Sequence, residues 1–452
     1  MARNLIKDLG KVVEEERKRW GIPGVSVGVL QDGEIEAGGW GVTSIETEYP
    51  VLPETLFQIG SNSKIYTTTL LLTLVDDGTV DLDAPISTYL PELKLPDPEA
   101  QAKMKVRHLV SHQTGLFGDF FLDLGWGADA LARSLSYFPT FRQLYQPEEL
   151  WSYTNSNFNI AGRIIERILN MSFEDAMQAR VLGPLGLTRT VQFPWDVFAN
   201  SHAVGHRPET PGGDDIIVAR EYWLNRHLNP AGGITANVAD VLTFDKFHLG
   251  LGGGERDGKP VLSDATRLAM REPQIKAANF AEHWGLGWWL YTVDGTKVIG
   301  HGGGTNGFIT RNTLLPEKNL AWAIFTNSLH GGSLIRNVER WLLKEVAGLT
   351  DTDPQVVSRS DADLARFAGE YENPSTRSTV TVDDGKLRIQ SRSYNIATKQ
   401  EVEYPAVVVS PVGDTRFMAT TGREEGTLID FLENPNGTIR LFWNGGRVVF
   451  KQ

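Results

Sequence analysis

The 452-residue chain contains no cysteine, which excludes a thiol nucleophile, a disulfide framework and any cysteine-ligated metal. A block of clustered Lys and Arg is also missing. The 44 basic residues stand against 56 acidic ones, a net charge of −12, whereas nucleic-acid binding needs cations that displace counterions. Long apolar runs are absent too: "LAWAIFTN" at 320–327 is far too short to cross a bilayer. The N-terminal "MARNLIKDLGKVVEEERKRWG" sets apolar residues at helical spacing among charges, where a signal peptide has an uninterrupted apolar core. As written, the chain reads as cytoplasmic. No Gly-rich phosphate loop stands in strand–helix context, so no nucleotide and no organic cofactor is assigned. What remains is an ordinary globular composition, 41% hydrophobic and 22% charged, long enough for two or three cores.

Periodicity divides the chain. "GVSVGVLQDGEIEAGGWG" at 24–41 alternates around Asp32-Gly33 and predicts two paired strands. From Ser61 the pattern turns helical: "SNSKIYTTTLLLTLVDDG" ends at Gly78, and further helical stretches follow at 102–113, 127–137, 156–170 and 173–180. Strand signals return in "WGLGWWLYTVDGTKVIGHGGG" at 284–304 and on both sides of Pro316, and the helix "SLIRNVERWLLKEVAG" closes the unit. A sheet built from both ends of residues 1–348 with a helical insertion at about 61–280 is an α+β fold, an α/β sandwich. The polar, aperiodic 349–363 reads as a linker. Residues 364–452 carry short alternating runs broken by Gly, Asn and Asp, the pattern of a small antiparallel β-barrel.

Three strings carry chemistry. Ser61 and Lys64, three apart at a helix start, share one face, so the amine can reach the hydroxyl. First-turn N–H groups aim partial positive charge at an oxygen placed there. A desolvated Lys64 could then activate Ser61; the competing reading is a helix cap with a solvated lysine beside it. "WSYTNSNFNIAGR" sets Tyr153 and Asn155 just ahead of a helix, and "KVIGHGGGTNGF" puts His301 before Gly302, Gly303 and Gly304. "HGGG" also occurs as an oxyanion motif in α/β-hydrolase lipases, but there the nucleophile lies in a G-x-S-x-G elbow; no such string is assigned here and the lipase reading is set aside. His108 with His112, and His202 with His206, have i,i+4 spacing. Without a third ligand nearby, such pairs read as core or loop-fixing residues and no metal is assigned.

S-x-x-K at 61–64, Y-x-N at 153–155 and H-G-G at 301–303, in that order, resemble the serine β-lactamase and penicillin-binding-protein family, most closely its class C-like esterase, D-aminopeptidase and acyltransferase branch. "MKVRHLVSHQTGL", "NPAGGITANVADVLTF" and "GFITRNTLLPEKNLAWAIFTN" agree, so the likeness spans 20–345. The resemblance implies Ser61 as the acylated nucleophile, Lys64 and Tyr153 as the proton-moving pair, and Asn155 as the orienting side chain. It implies an oxyanion hole from Ser61 and Gly304 beside Gly303. His301 stands where many relatives carry lysine. A histidine there offers at most a charge titrating near neutrality, which weakens an antibiotic-hydrolase reading and favours esters, amides or peptides. "LARFAGEYENP" at 364–374 is similar to the lipocalin-like domain of some relatives, which covers the cleft and restricts substrates.

The expected activity is hydrolysis of a small ester, amide or peptide through an acyl-serine. Two alternatives stand beside it: acyl transfer to an amine, as in a penicillin-binding-type thioesterase or peptide cyclase, and a sensor that acylates without turnover. Aromatic residues concentrate at 118–129, 221–230 and 282–290; they either pack the core or line a cleft for apolar groups.

Overall fold

The first helix, α1 (Leu5–Arg19), buries Leu5, Leu9, Val13 and Glu16, the spacing of four and three residues that lays one stripe against a neighbour. A computed structural model of the chain describes residues 5–394 and 400–452; residues 1–4 of the expected N-terminal helix and 395–399 of the expected barrel lie outside them. Strands β1 (Gly24–Gln31) and β2 (Glu34–Gly41) follow as a hairpin, with Asp32 and Gly33 both at positive φ. That two-residue turn has the twist antiparallel strands need.

The chain then leaves the sheet for the helices α2 (Ser63–Asp76), α3 (Ser156–Leu169) and α4 (Val238–Leu249). It returns as β3 (Ile275–Ala277), β4 (Ala281–Trp284), β5 (Trp289–Val293), β6 (Thr296–Thr305), β7 (Phe308–Leu315) and β8 (Leu320–Thr326). The eight strands are ordered β3-β4-β5-β6-β7-β8-β1-β2 and every pairing is antiparallel. Val27 of β1 faces Ile324 of β8 in register, so both ends of the unit share one sheet.

Both faces of β1 are covered, and only Gln31 of its eight residues is exposed. Val25, Val27, Val29, Trp322 and Ile324 pack under α1 and α5 (Gly331–Leu342). Leu30, Ala321, Ala323 and Phe325 join the helical core containing α2, α3 and α4 on the other face. Alternating side chains thus divide one sheet between two cores, giving a three-layer α/β sandwich with an enlarged helical side. α2 is buried all round, with 12 of its 14 residues enclosed, and Lys64 is among them.

The last nine strands are β9 (Gly369–Asn373), β10 (Thr376–Asp383), β11 (Lys386–Tyr394), β12 (Glu401–Glu403), β13 (Val407–Pro411), β14 (Arg416–Ala419), β15 (Leu428–Glu433), β16 (Ile439–Asn444) and β17 (Arg447–Lys451). Eight of them close a barrel through the β10–β11 pairing, and β12 extends one edge of β11. Closure removes the exposed edges an open sheet would offer. Tyr371, Val380, Phe417, Phe431 and Phe442 fill its interior. The β16–β17 hairpin faces the larger unit: Leu441, Trp443 and Val448 share a cluster with Tyr145, Trp151, Tyr153, Trp284 and Trp289. Among the described residues, no helix is long and apolar enough to cross a membrane.

Candidate active site

Ser61 sits inside a 3-10 turn, Gly60–Asn62, that runs directly into α2. The N-cap positions are Ile59 and Asn62, neither with a side-chain cap bond, so the helix-cap reading of Ser61 fails. Gly60 takes φ +53, and a Cβ there would lie 2.8 Å from Gly304 N. Gly303 is more tightly constrained: its Cβ would stand 2.0 Å from Ile59 O and 2.4 Å from Thr310 Oγ1. The lack of side chains at these two positions lets β6 lie against the 59–61 turn. Gly304 N is thereby brought beside the Ser61 turn, while Gly303 serves the close approach.

Lys64 Nζ is 3.1 Å from Ser61 Oγ, 2.8 Å from Asn155 Oδ1 and 2.6 Å from Ala231 O. Lys64 has no exposed surface. Burial, followed by the nearby Arg447 charge, holds its amine well below the usual lysine range, with Asp119 opposing. A neutral amine donates two protons and keeps one lone pair. Donation to Asn155 and Ala231 leaves that lone pair for the Ser61 hydroxyl.

Tyr153 lies under the same amine, with Nζ 4.9 Å from its ring centroid. Burial pushes its phenol above the ordinary tyrosine range, and the adjacent Ser61 hydroxyl partly offsets this. The two hydroxyls are close but outside hydrogen-bond geometry, and the buried Tyr153 Oη has no partner. Stacking on His112, centroids 4.2 Å apart, fixes the ring. His112 Nδ1 accepts from Thr154 N at 3.1 Å, so this histidine anchors the tyrosine segment. His108 turns instead to Glu148 Oε1 at 2.8 Å. His206 bonds the Asn327 carbonyl and His202 that of Asn200. Neither i,i+4 pair converges, and among the described residues no group of three His, Asp or Glu could hold a metal ion.

His301 is 1% exposed, stacked on Trp289 at 5.5 Å, and its Nδ1 donates to Gly302 O at 2.6 Å. Burial, then the proximity of Lys64, brings its pKa down to about 3. The expectation of a charge titrating near neutrality is therefore corrected: His301 is a neutral imidazole with a buried, unpartnered Nε2. The set-aside lipase reading also needs a correction. The sequence does hold a G-x-S-x-G string, Gly24–Gly28, but Ser26 is mid-strand in β1, fully buried and bonded to Gly38 O. A nucleophile elbow is a strand-to-helix turn.

Three contributors escaped the sequence reading: the Ala231 carbonyl, Asp119 and Arg447. Asp119 Oδ1 accepts from Asn155 Nδ2 at 2.7 Å, and its Oδ2 accepts from Arg447 Nε. A backbone carbonyl carries no residue-type signal, and Arg447 lies 328 positions from Asp119. Of the aromatic stretches, Phe121 and Trp126 are exposed at 52% and 37%, whereas Trp284, Trp288 and Trp289 are buried. Trp126, Trp223 and Leu224 line a narrow crevice with Gln58, Gly232 and Gly233. Gly232 lies between Leu224 and Gly60, so this apolar rim adjoins the serine turn.

The Beta-lactamase family model matches residues 9–345. The chain is 33% identical to "Penicillin-binding protein 4" of Amycolatopsis lactamdurans over 358 residues, 78% of this chain and 93% of that protein. It is 26% identical to the D-aminopeptidase of Brucella anthropi over 423 residues, 91% and 74% of the two chains. A crystal structure of SurE with D-Leu superposes with a TM-score of 0.74 at 25% identity, covering 99% of each chain. A site built on S-x-x-K, Y-x-N and H-G-G and a match over three quarters of the length agree: this chain belongs to the beta-lactamase family of serine acyl-enzymes.

Proposed function

We propose that the protein hydrolyses an amide or ester bond of a small substrate through an acyl-Ser61 intermediate. One observation carries the reading: the buried Lys64 amine stands 3.1 Å from Ser61 Oγ with its other two partners both acceptors. The lone pair of Lys64 takes the Ser61 proton as Oγ forms a bond to the substrate carbonyl carbon. The resulting ammonium keeps Asn155 Oδ1 and Ala231 O as acceptors. Tyr153, a phenol at neutral pH, passes its proton to the leaving group as the scissile bond breaks and takes in exchange the proton that Lys64 received from Ser61, so both groups return to their starting forms. The N–H groups of Ser61 and Gly304 receive the oxyanion. Water, deprotonated by the same pair, then releases the acid and restores the serine.

The substrate class proposed is an amide of an apolar D-residue. Two relatives are named for D-residues, an aminopeptidase and a structure with D-Leu, and the crevice beside Gly60 carries Trp126, Trp223 and Leu224 alongside the polar Gln58, Gln192 and Asn229. The neutral His301 supplies no cation for a carboxylate, which argues for weak or no β-lactamase activity. The test is a panel of p-nitrophenyl esters, D- and L-aminoacyl anilides and nitrocefin with wild type and Ser61→Ala, with intact mass. The expected result is a D-apolar preference, an adduct on Ser61 and loss of at least about 10³-fold in the variant. Full activity in Ser61→Ala overturns the reading. An added amine acceptor shows whether water or amine takes the acyl group.

A further inference from the structure

The C-terminal barrel places a charged side chain within the catalytic hydrogen-bond network. The Gly445-Gly446 turn between β16 and β17 reaches the tyrosine segment, where Gly446 O accepts from Tyr153 N at 2.9 Å. Val448 N donates to Ser152 Oγ at 3.2 Å and Trp443 Nε1 to Trp151 O at 2.9 Å, fixing the hairpin on both sides. Arg447, the first residue past the turn, sets its guanidinium 5.2 Å over the Tyr153 ring and donates Nη1 to Gly445 O at 3.0 Å. Its Nε is paired with Asp119 Oδ2.

From there the chain of contacts is continuous. Asp119 Oδ1 takes the Asn155 Nδ2 proton, and Asn155 Oδ1 takes that of Lys64 Nζ. An amide has two ends of opposite polarity. With Asp119 holding the donor end, only the acceptor end of Asn155 can face Lys64. A lone Asp119 carboxylate would also favour the ammonium form of Lys64, the form that cannot take a proton from Ser61. Arg447 balances that charge.

We propose that Arg447, delivered by the barrel, is a positioning residue for acylation: through Asp119 it fixes the Asn155 amide, and it cancels the Asp119 charge so that Lys64 can serve as base to Ser61. The inference rests on the acyl-serine reading above. The remaining titratable groups facing Lys64 are Tyr153, kept a phenol, and His112 and His301, both kept neutral by burial. Arg447 and Asp119 act on the Lys64 amine in opposite senses, Arg447 lowering its proton affinity and Asp119 raising it.

The experiment uses the full chain and measures the burst of p-nitrophenol from p-nitrophenyl acetate, with the Ser61 adduct confirmed by mass, from acid to alkaline pH. Arg447→Gln should move the acid limb of acylation to higher pH and slow acylation at least about tenfold at pH 7. Arg447→Lys keeps the cation and should leave the limb near its wild-type position. Asp119→Asn should move the limb the other way, to lower pH, while lowering the plateau rate as Asn155 loses its orientation. A wild-type rate and limb in Arg447→Gln overturns the proposal, as does an equal loss in both neutral variants with the limb unmoved. If Arg447→Gln does not fold, an unmoved limb in Asp119→Asn overturns it. Wild-type protein with no adduct at any pH would instead defeat the acyl-serine reading, and this inference with it.

Discussion

Lys64 and His301 show how one buried environment sets two protonation states. Burial comes first in lowering both pKa values; the second cause is the Arg447 charge for Lys64 and the Lys64 charge for His301. Stability linkage follows the same sign: a base whose folded pKa is depressed binds fewer protons native than unfolded, so these groups oppose folding as pH falls. On the proposed mechanism the neutral amine is the competent form, so kcat/KM should rise with pH through Lys64. Burial and then Lys64 bring the His301 pKa down to about 3, so the imidazole is neutral across the working pH range. In a pH–rate series on the preferred substrate, His301→Gln should leave the acid limb in place, whereas Lys64→Met should abolish the limb with a loss of about 10³-fold or more. An acid limb that vanished with His301 would transfer the base role to the imidazole. Asp245 gives a second residue-scale expectation. Its fully buried carboxyl has its pKa raised well above the usual range by burial, with Asn312 Nδ2 donating to one oxygen at 2.8 Å and the other unpartnered. An acid with a raised folded pKa costs stability increasingly as pH climbs from its unfolded value through its folded one. Asp245→Asn should therefore raise Tm at pH 8 more than at pH 4.

At the scale of the element, the proposed oxyanion geometry depends on how closely β6 meets the serine turn. A Cβ at 303 has no room: it would stand 2.0 Å from Ile59 O, whereas one at 304 meets only Ile309 Cδ1 at 3.6 Å. Gly303→Ala should push strand and turn apart, lowering stability by about 1–3 kcal/mol and acylation sharply. Gly304→Ala should stay within about 0.5 kcal/mol of wild type by thermal denaturation. Equal effects at the two positions would contradict this packing. Local signals made the elements legible. Asp-Gly at 32–33, 294–295 and 384–385 all became two-residue turns with both residues at positive φ, and the apolar run from Ser63 became a buried helix. The serine, lysine, tyrosine, asparagine and histidine of the site were legible because each lies in a short string of fixed spacing. The burial that neutralises His301 was not, because it depends on Trp284 and Trp289 folding over the ring.

For the whole molecule, the question is whether the barrel is an appended lid or part of the catalytic core. The sequence reading, with a linker at 349–363 and a barrel from 364, made it a cover that restricts substrates. That reading could see β-hairpins but not where the β16–β17 turn lands, since Arg447 and Asp119 have no proximity in sequence. In the folded chain Trp443 is 6% exposed and shares a cluster with Trp151 and Tyr153. Arg440 pairs with Glu149 at 2.7 Å, and Asn279 Nδ2 donates to Leu428 O at 2.5 Å. Two units joined only by a linker would melt separately. Units that share a buried aromatic cluster lose it together. Calorimetry should show one cooperative transition for the full chain, and Trp443→Ala, which removes about 3–5 kcal/mol of buried aromatic packing, should lower that transition as a whole. The same variant should slow Ser61 acylation, because Trp443 holds the backbone of Trp151, two residues before Tyr153. A low-temperature barrel transition that leaves acylation intact would instead make the barrel a removable cover, and Arg447 a bystander to the chemistry.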